Sequence, residues 1–209
     1  MMTLFTFDRA PEFAHGFVRD IRIRWALEEA ALPYRVESVP FEPRRHLAQQ
    51  PFGQVPFFRD GEVELFESGA ILLHLGELSE RLLPRAATAR AQAISWLFAA
   101  LNTVELSAYR LFRYRLQQSP DEPIWRGDVQ ATLNRCLTHM ETVLQNREWL
   151  AGDFSVADIA MSDVLRLVGH LGVLADYPAC RDYVARASAR PAFIKAHQDQ
   201  LAHFARNAG

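Results

Sequence analysis

The stretch "PFGQVPFFRDGEVELFESGAILLHL", residues 51–75, decides how the chain reads. Val55, Phe57 and Phe58 have the character of a strand, "RDGE" (59–62) that of a turn, and "VELF" (63–66) that of a second strand. Together they predict a hairpin. Yet Pro56 stands inside the first strand, where a residue with no amide proton cannot donate to a ladder. Ser68 then opens the helical pattern "SGAILLHLGELSE" (68–80). A plain edge-strand break accounts for Pro56 taken alone, and a helix cap accounts for Ser68 taken alone.

Outward from the hairpin, "TLFTF" (3–7) is a short strand of β-branched and aromatic residues. After the irregular "DRAPEFAHGF" (8–17), the segment "VRDIRIRWALEEAAL" (18–32) carries Val18, Ile21, Trp25, Ala26 and Leu32 at helical spacing, and Pro33 stops it. "YRVESVPF" (34–41) is a second strand and "EPRRHLAQQPFG" (42–53) a polar connection. Strand, helix, strand, loop, strand, strand and helix predict a small mixed sheet with helices packed on it. "RLLPRAATAR" (81–90) reads as a linker, and beyond it the pattern is helical throughout. One long helix is expected over 89–116, with an apolar stripe of Ile94, Leu97, Leu101, Val104, Ala108 and Leu111. "SPDEPIWRG" (119–127) breaks it, and further helices follow over 128–146, 153–172 and 178–204. In "FSVADI" (154–159), Ser155 caps the first amides while Asp158 points back at the cap, with Phe154 and Ile159 as the staple. That motif is structural.

Bulk properties exclude several classes. The apolar content of 49% is that of a globular chain, and a formal charge of -2 gives no electrostatic footprint for nucleic acid. No apolar run approaches membrane-spanning length and no leader precedes the first strand, so neither a span nor a secretion signal is expected. Cys136 and Cys180 lie far apart in helical sequence, which argues against a disulfide framework and for a reducing cytoplasm. Lys195 is the only lysine; compositional bias toward arginine explains that better than dedicated anion binding. The histidines show no ligand spacing, so no metal site is expected, and His197 and His203 read as solvated residues of a polar terminal helix.

Five segments in order, "ALEEAALPY" (26–34), "QPFGQVPFF" (50–58), "FESGAILLHL" (66–75), "FSVADIAMSDVL" (154–165) and "SARPAF" (188–193), make the chain resemble the glutathione S-transferase family over nearly its whole length. The resemblance implies an α/β plus all-α architecture. A thioredoxin-like glutathione-binding domain (1–78) and a linker (79–88) precede an all-helical domain (89–209). It implies a cis bond before Pro56, which turns the backbone of Val55 outward to pair with the cysteinyl part of glutathione as a short added strand. Glu67 and Ser68 then receive the charged ends of the γ-glutamyl group at a helix start, and Gln54 adds a side-chain contact. His46 and the Arg44–Arg45 pair are the candidates for the glycyl carboxylate, against the alternative of a solvated loop.

The chemistry implied is thiolate activation. A free thiol of pKa about 8.5 is only about 3% thiolate at pH 7, and a fall of two units, about 2.7 kcal/mol, makes thiolate the main species. The family supplies a Tyr or Ser hydroxyl, or a Cys, just after the first strand. Here the matching count falls on Phe17, no tyrosine precedes Tyr34, and the first 135 residues hold no cysteine. The remaining groups are Thr6, His15, the amides of Phe17 and Val18, and Arg19. The alternative for Arg19 is a solvated face shared with Arg22 and Arg24. Phe98, Asn102, Glu105 and Tyr109 form a mixed helical stripe that, with Phe13 and Phe17, walls a pocket for the electrophile. Packing or subunit contact is the alternative for that stripe, and Tyr109 is an alternative hydroxyl donor. The expected function is therefore addition of the glutathione thiolate to a small electrophile by a cytoplasmic homodimer, with glutathione as co-substrate, no metal, no nucleic acid and no membrane. The alternative is a non-catalytic interaction module on the same fold.

Overall fold

The structure, a computed structural model, describes residues 1–44, 46–117 and 123–206. Arg45 and part of the break at 119–127 lie outside them. The chain divides into two compact units, residues 1–83 with 189–209, and residues 84–188.

In the first unit, β1 (Met2–Phe7) pairs in parallel with β2 (Tyr34–Val39) and antiparallel with β3 (Phe57–Asp60). β4 (Val63–Phe66) completes the hairpin, giving the order β2-β1-β3-β4. Gly61, at φ +61, supplies the left-handed residue of the two-residue turn. Helix α1 (Asp20–Glu29) makes the crossover between the parallel strands, and α2 (Ser68–Leu78) follows the hairpin. This is the thioredoxin-like arrangement. Alternation along the strands sorts the side chains. Leu4 and Phe58 sit across from each other in the register, and the Phe58 ring lies 6.3 Å from that of His74 on α2. Phe5 and Phe57 stack at 4.3 Å on the other face, where the His46 ring stacks on Phe57. Leu4, Ile21, Trp25, Ile71 and Leu75 are fully buried or nearly so.

The last helix, α8 (Pro191–Arg206), belongs to this unit and packs along α1, whereas the sequence places all of 89–209 in one helical domain. Its side chains explain the difference. Arg190, just before it, forms a two-pronged ion pair with Glu29, and Phe193 sets its ring edge-on to Trp25 at 4.8 Å. The expected linker is not loose either, since Leu82 and Leu83 are fully buried.

The second unit is helical: α3 (Ala87–Ala99), α4 (Glu105–Gln117), α5 (Pro123–Leu144), α6 (Val156–His170) and α7 (Pro178–Ser188). The single helix expected over 89–116 carries a π-helical turn, Ala100–Val104, which joins α3 to α4. Ala93, Leu97, Ala100 and Val104 are buried, while Ile94 and Leu101 of the expected stripe are only partly so. Pro191 follows a short break that ends α7, as a proline dictates for the residue before it. The capping box forms as expected. Ser155 accepts from Ala157, and Asp158 accepts from the Ser155 amide at 3.0 Å.

Candidate active site

Strand register alone brings the chemistry-bearing segments to one end of the sheet. The β1–β3 ladder ends at the pair Phe5–Phe57, with Thr6 and Pro56 the next residues beyond it. Proline has no amide to give there, and β3 begins only at Phe57, leaving Val55 outside the ladder. The β3–β4 ladder ends at the pair Phe57–Phe66, so Pro56 and Val55 precede one strand end and Glu67 and Ser68 follow the other. The Val55–Pro56 bond is cis, Pro56 is buried, Val55 is half-buried and Gln54 is exposed.

The loop before Pro56 is built to hold that segment. Gln50 is 2% exposed, and its Oε1 accepts from the amides of Phe52 at 2.7 Å and Gln54 at 3.1 Å. His46 donates from Nε2 to the Gln54 carbonyl at 3.1 Å while its ring stacks on Phe57 at 5.6 Å. A carbonyl only accepts, so this contact puts the proton on Nε2. His46 therefore points inward, at 5% exposure, and anchors the strand end instead of presenting its ring to a carboxylate. Arg44 is exposed, its guanidinium lying over Phe7 and Phe41.

Glu67 has φ 70 and ψ 120, a left-handed backbone that a side chain with a Cβ resists. Such residues cluster where function over-determines the backbone. Glu67 occupies the cap position without a side-chain cap bond, and Ser68 is the first helical residue rather than the cap. Ser68 Oγ instead accepts from Nη1 of Arg22 at 3.4 Å. The hydroxyl and the start of α2 thus stand beside a cation that is itself 2% exposed. Arg22 and Arg24 are not on a solvated face: α1 is covered by the sheet, α2 and α8, and Arg24 is locked to Asp20 at 2.7 Å. Replacing Glu67 with glycine is expected to raise stability by about 1 kcal/mol, strain relief exceeding glycine's entropy cost. A thermal melt of the variant alongside the parent measures it.

Of the candidates for thiol activation, Thr6 is fully buried beside Leu4 on the helix side of the sheet, and its Oγ1 has no hydrogen-bond partner among the described residues. The amides of Phe17 and Val18 do not point outward. Both close onto the Ala14 carbonyl, at 2.9 and 3.1 Å, because the helix starts only at Asp20. Arg19 is half-buried at the cap position of α1. His15 turns back to the Ala10 carbonyl at 3.0 Å and stacks on Phe204.

Helix α8 clasps this loop, which sequence reading missed. His203, 6% exposed, bonds the Phe7 carbonyl at 2.9 Å, and Gln200 donates to the Val18 carbonyl at 2.9 Å and to Asp20. Gly16, at φ +79, fits because a Cβ there would sit 2.7 Å from His197. His197 and His203 are therefore packed residues, not solvated ones. The signal in the sequence was their spacing with Gln200 along one face of α8.

Of the expected electrophile wall, Phe13 is exposed in the first unit, while Asn102, Glu105 and Tyr109 belong to the second. There Asn102 lies in the π turn, Tyr109 is exposed and Glu105 is 9% exposed. Burial and the Glu141 carboxylate push the Cys180 thiol up to about 12, which disfavours its thiolate. Among the described residues no cluster of His, Cys, Asp and Glu is suited to a metal, and no helix is long and apolar enough to cross a membrane.

Comparison with known proteins bears on the family and the fold. The glutathione S-transferase N-terminal domain model matches residues 13–77 and the corresponding C-terminal domain model matches residues 107–200. The disulfide-bond oxidoreductase YfcG of Escherichia coli strain K12 is 32% identical over 188 residues, covering 82% of this chain and 86% of its own. The probable glutathione S-transferase GSTF2 of Oryza sativa subsp. japonica is 30% identical over 187 residues, covering 81% and 86%. A solved glutathione transferase from Burkholderia graminis, with two glutathione molecules bound per subunit, superposes with a TM-score of 0.80 at 26% identity, covering 94% of this chain and 87% of its own. A family member from Pseudomonas fluorescens pf-5 with two glutathione bound has a TM-score of 0.82 at 24% identity, covering 94% and 92%, and speaks for the fold alone. The chain belongs to the glutathione S-transferase family.

Proposed function

We propose that the chain binds reduced glutathione at the end of the β1–β3–β4 sheet and adds its thiolate to a small electrophile. The observation that carries this reading is that Val55 with cis-Pro56, and Glu67 with Ser68, flank the paired residues Phe57 and Phe66 that end the β3–β4 ladder. The unladdered Val55 offers its amide and carbonyl to the peptide backbone of glutathione, with Gln54 beside it. Ser68, the free amides of α2 and the Arg22 guanidinium receive the γ-glutamyl carboxylate, and the exposed Glu67 carboxylate meets the ammonium. His46 and Gln50 fix the backbone that does the pairing. Arg19 is the side chain assigned to stabilise the thiolate, with Thr6 and Phe17 as the neighbouring strand-end and loop positions. Phe13, Asn102, Glu105 and Tyr109 are assigned to the electrophile. A homodimer in the cytoplasm, serving detoxification, completes the reading.

A second reading is reduction of disulfides by glutathione. It is favoured by the activity named for the Escherichia coli relative and by the lack of Tyr, Ser or Cys in the loop at 8–19. Two glutathione thiols would reduce one disulfide and leave as glutathione disulfide, with no protein cysteine involved. An interaction module with no chemistry is the third outcome. Calorimetric titration with reduced glutathione is expected to give a Kd between micromolar and low millimolar, at least ten-fold weaker in Ser68→Ala, a loss of about 1.4 kcal/mol or more. Absence of heat at several millimolar overturns the glutathione reading. Parallel assays of conjugation and of disulfide reduction separate the two chemistries.

A further inference from the structure

We propose that Gln200 is a positioning residue for the glutathione thiolate, a role that rests on the glutathione reading of the site given above. From α8 it holds the chain on both sides of Arg19 and so fixes the end of the loop at 8–19 that serves the thiol. That loop leaves β1 after Phe7, and β1 and β3 run antiparallel. It therefore emerges at the end of the sheet where Val55 and Pro56 precede β3. A cysteinyl segment paired with the Val55 backbone carries its thiol to this same end.

Gln200 is fully buried, and its one amide nitrogen donates to two acceptors, the Val18 carbonyl at 2.9 Å and the Asp20 carboxylate. Those two residues stand immediately before and after Arg19. A carbonyl only accepts, so the nitrogen of the amide must face Val18, and a side chain without a donor cannot take its place. The Gln200 oxygen has no hydrogen-bond partner among the described residues, so the bonding of this side chain goes to the two groups that flank Arg19. Asp20 is held from its other oxygen as well, by Arg24 at 2.7 Å. With both neighbours anchored, the backbone from which the Arg19 side chain departs is fixed, at φ -65 and ψ -9. The same face of α8 holds the start of the loop, where His203 bonds the Phe7 carbonyl at 2.9 Å, and its middle, where Phe204 stacks on His15 at 5.3 Å. Placement of this kind counts in catalysis, because a misplacement of about 1 Å can cost about 10²-fold in rate.

The test follows the ionisation of bound glutathione by the ultraviolet absorbance of its thiolate, from about pH 5 to 9, on the whole protein saturated with the ligand. Gln200→Met keeps the bulk of the side chain and removes the donor. It is expected to lower the ionisation constant of the bound thiol about ten-fold while the Kd of glutathione changes less than about three-fold. In an Arg19→Ala background the same substitution is expected to add nothing, because the residue it positions is gone. Asp158→Asn, in the other unit, lowers stability by a separate route and is expected to leave the thiol titration as in the parent. If a thermal melt shows that Gln200→Met does not fold, Gln200→Asn, which keeps a shortened donor, takes its place. A parent-like titration in the Gln200 variant, an equal change in Asp158→Asn, or an undiminished Gln200 effect without Arg19 overturns the proposal and leaves glutathione binding standing. Absence of glutathione binding by the parent overturns the reading of the site and the proposal with it.

Discussion

Asp158→Ala is expected to destabilise the protein by about 4 kcal/mol, the sum of several buried groups losing one acceptor at about 1–3 kcal/mol each, less relaxation. Asp158 is fully buried and accepts from the Leu150 amide at 3.0 Å, the Ser155 amide at 3.0 Å and the Tyr183 hydroxyl at 2.9 Å. Leu150, Ser155 and Tyr183 are themselves fully buried, so water cannot replace the lost carboxylate. In a chain of this size the loss corresponds to a fall in melting temperature of about 8–16 °C. Asp158→Asn keeps one acceptor and is expected to lose about half as much. Thermal or urea melts of the two variants measure this, and a change under about 1 kcal/mol for alanine would show that the network carries little of the stability.

The second large effect centres on Asp20, buried at 0% exposure against Arg24 at 3%. Among the described residues, Arg24→Met leaves the carboxylate with only Gln200 as a side-chain hydrogen-bond partner and is expected to cost about 3–5 kcal/mol near neutral pH. Asp20→Asn with Arg24→Met removes the stranded charge and is expected to recover most of that loss. The pH dependence has a definite sign. Burial raises the Asp20 carboxyl above its ordinary 3.8, outweighing the attraction of Arg24, so the folded state holds the proton more tightly than the unfolded chain. Its contribution to stability is complete below about pH 3.8 and is lost as pH rises through the folded value. Without Arg24 the rise is larger, so the deficit of the variant is greatest near neutral pH and shrinks toward pH 4. Urea melts from pH 4 to 8 on parent, single and double variants check both the size and the sign.

Much of the fold was legible because its signals are local. Pro33, Gly61 and Pro191 punctuate the chain, the β-branched and aromatic residues of "TLFTF" and the helical period of "IRIRWALEEA" name the elements, and the hairpin sets Pro56 and Ser68 just beyond its two open ends. The site's supports were not legible, because they depend on contacts between segments remote in sequence. Nothing local reveals that His46 faces Gln54, that Arg22 reaches Ser68 across 46 residues, or that Gln200 reaches Val18 across 182. For the same reason arginines and histidines that look solvated by type proved to be packed. Their partners, Asp20 for Arg24 and the Phe7 carbonyl for His203, are supplied by the tertiary fold. The π turn was invisible too, since the apolar stripe of α3 and α4 fits a straight helix almost as well.

The central claim is that glutathione pairs with the backbone of Val55 while its γ-glutamyl end sits at Ser68. Amide hydrogen exchange and chemical-shift mapping on labelled protein, with and without saturating reduced glutathione, test it most directly. The account predicts that the largest shifts fall on Gln54, Val55 and the first turn of α2 from Ser68, and that exchange at the Val55 amide slows markedly on binding. Shifts confined to other surfaces, or an unprotected Val55 amide in the saturated complex, would contradict it.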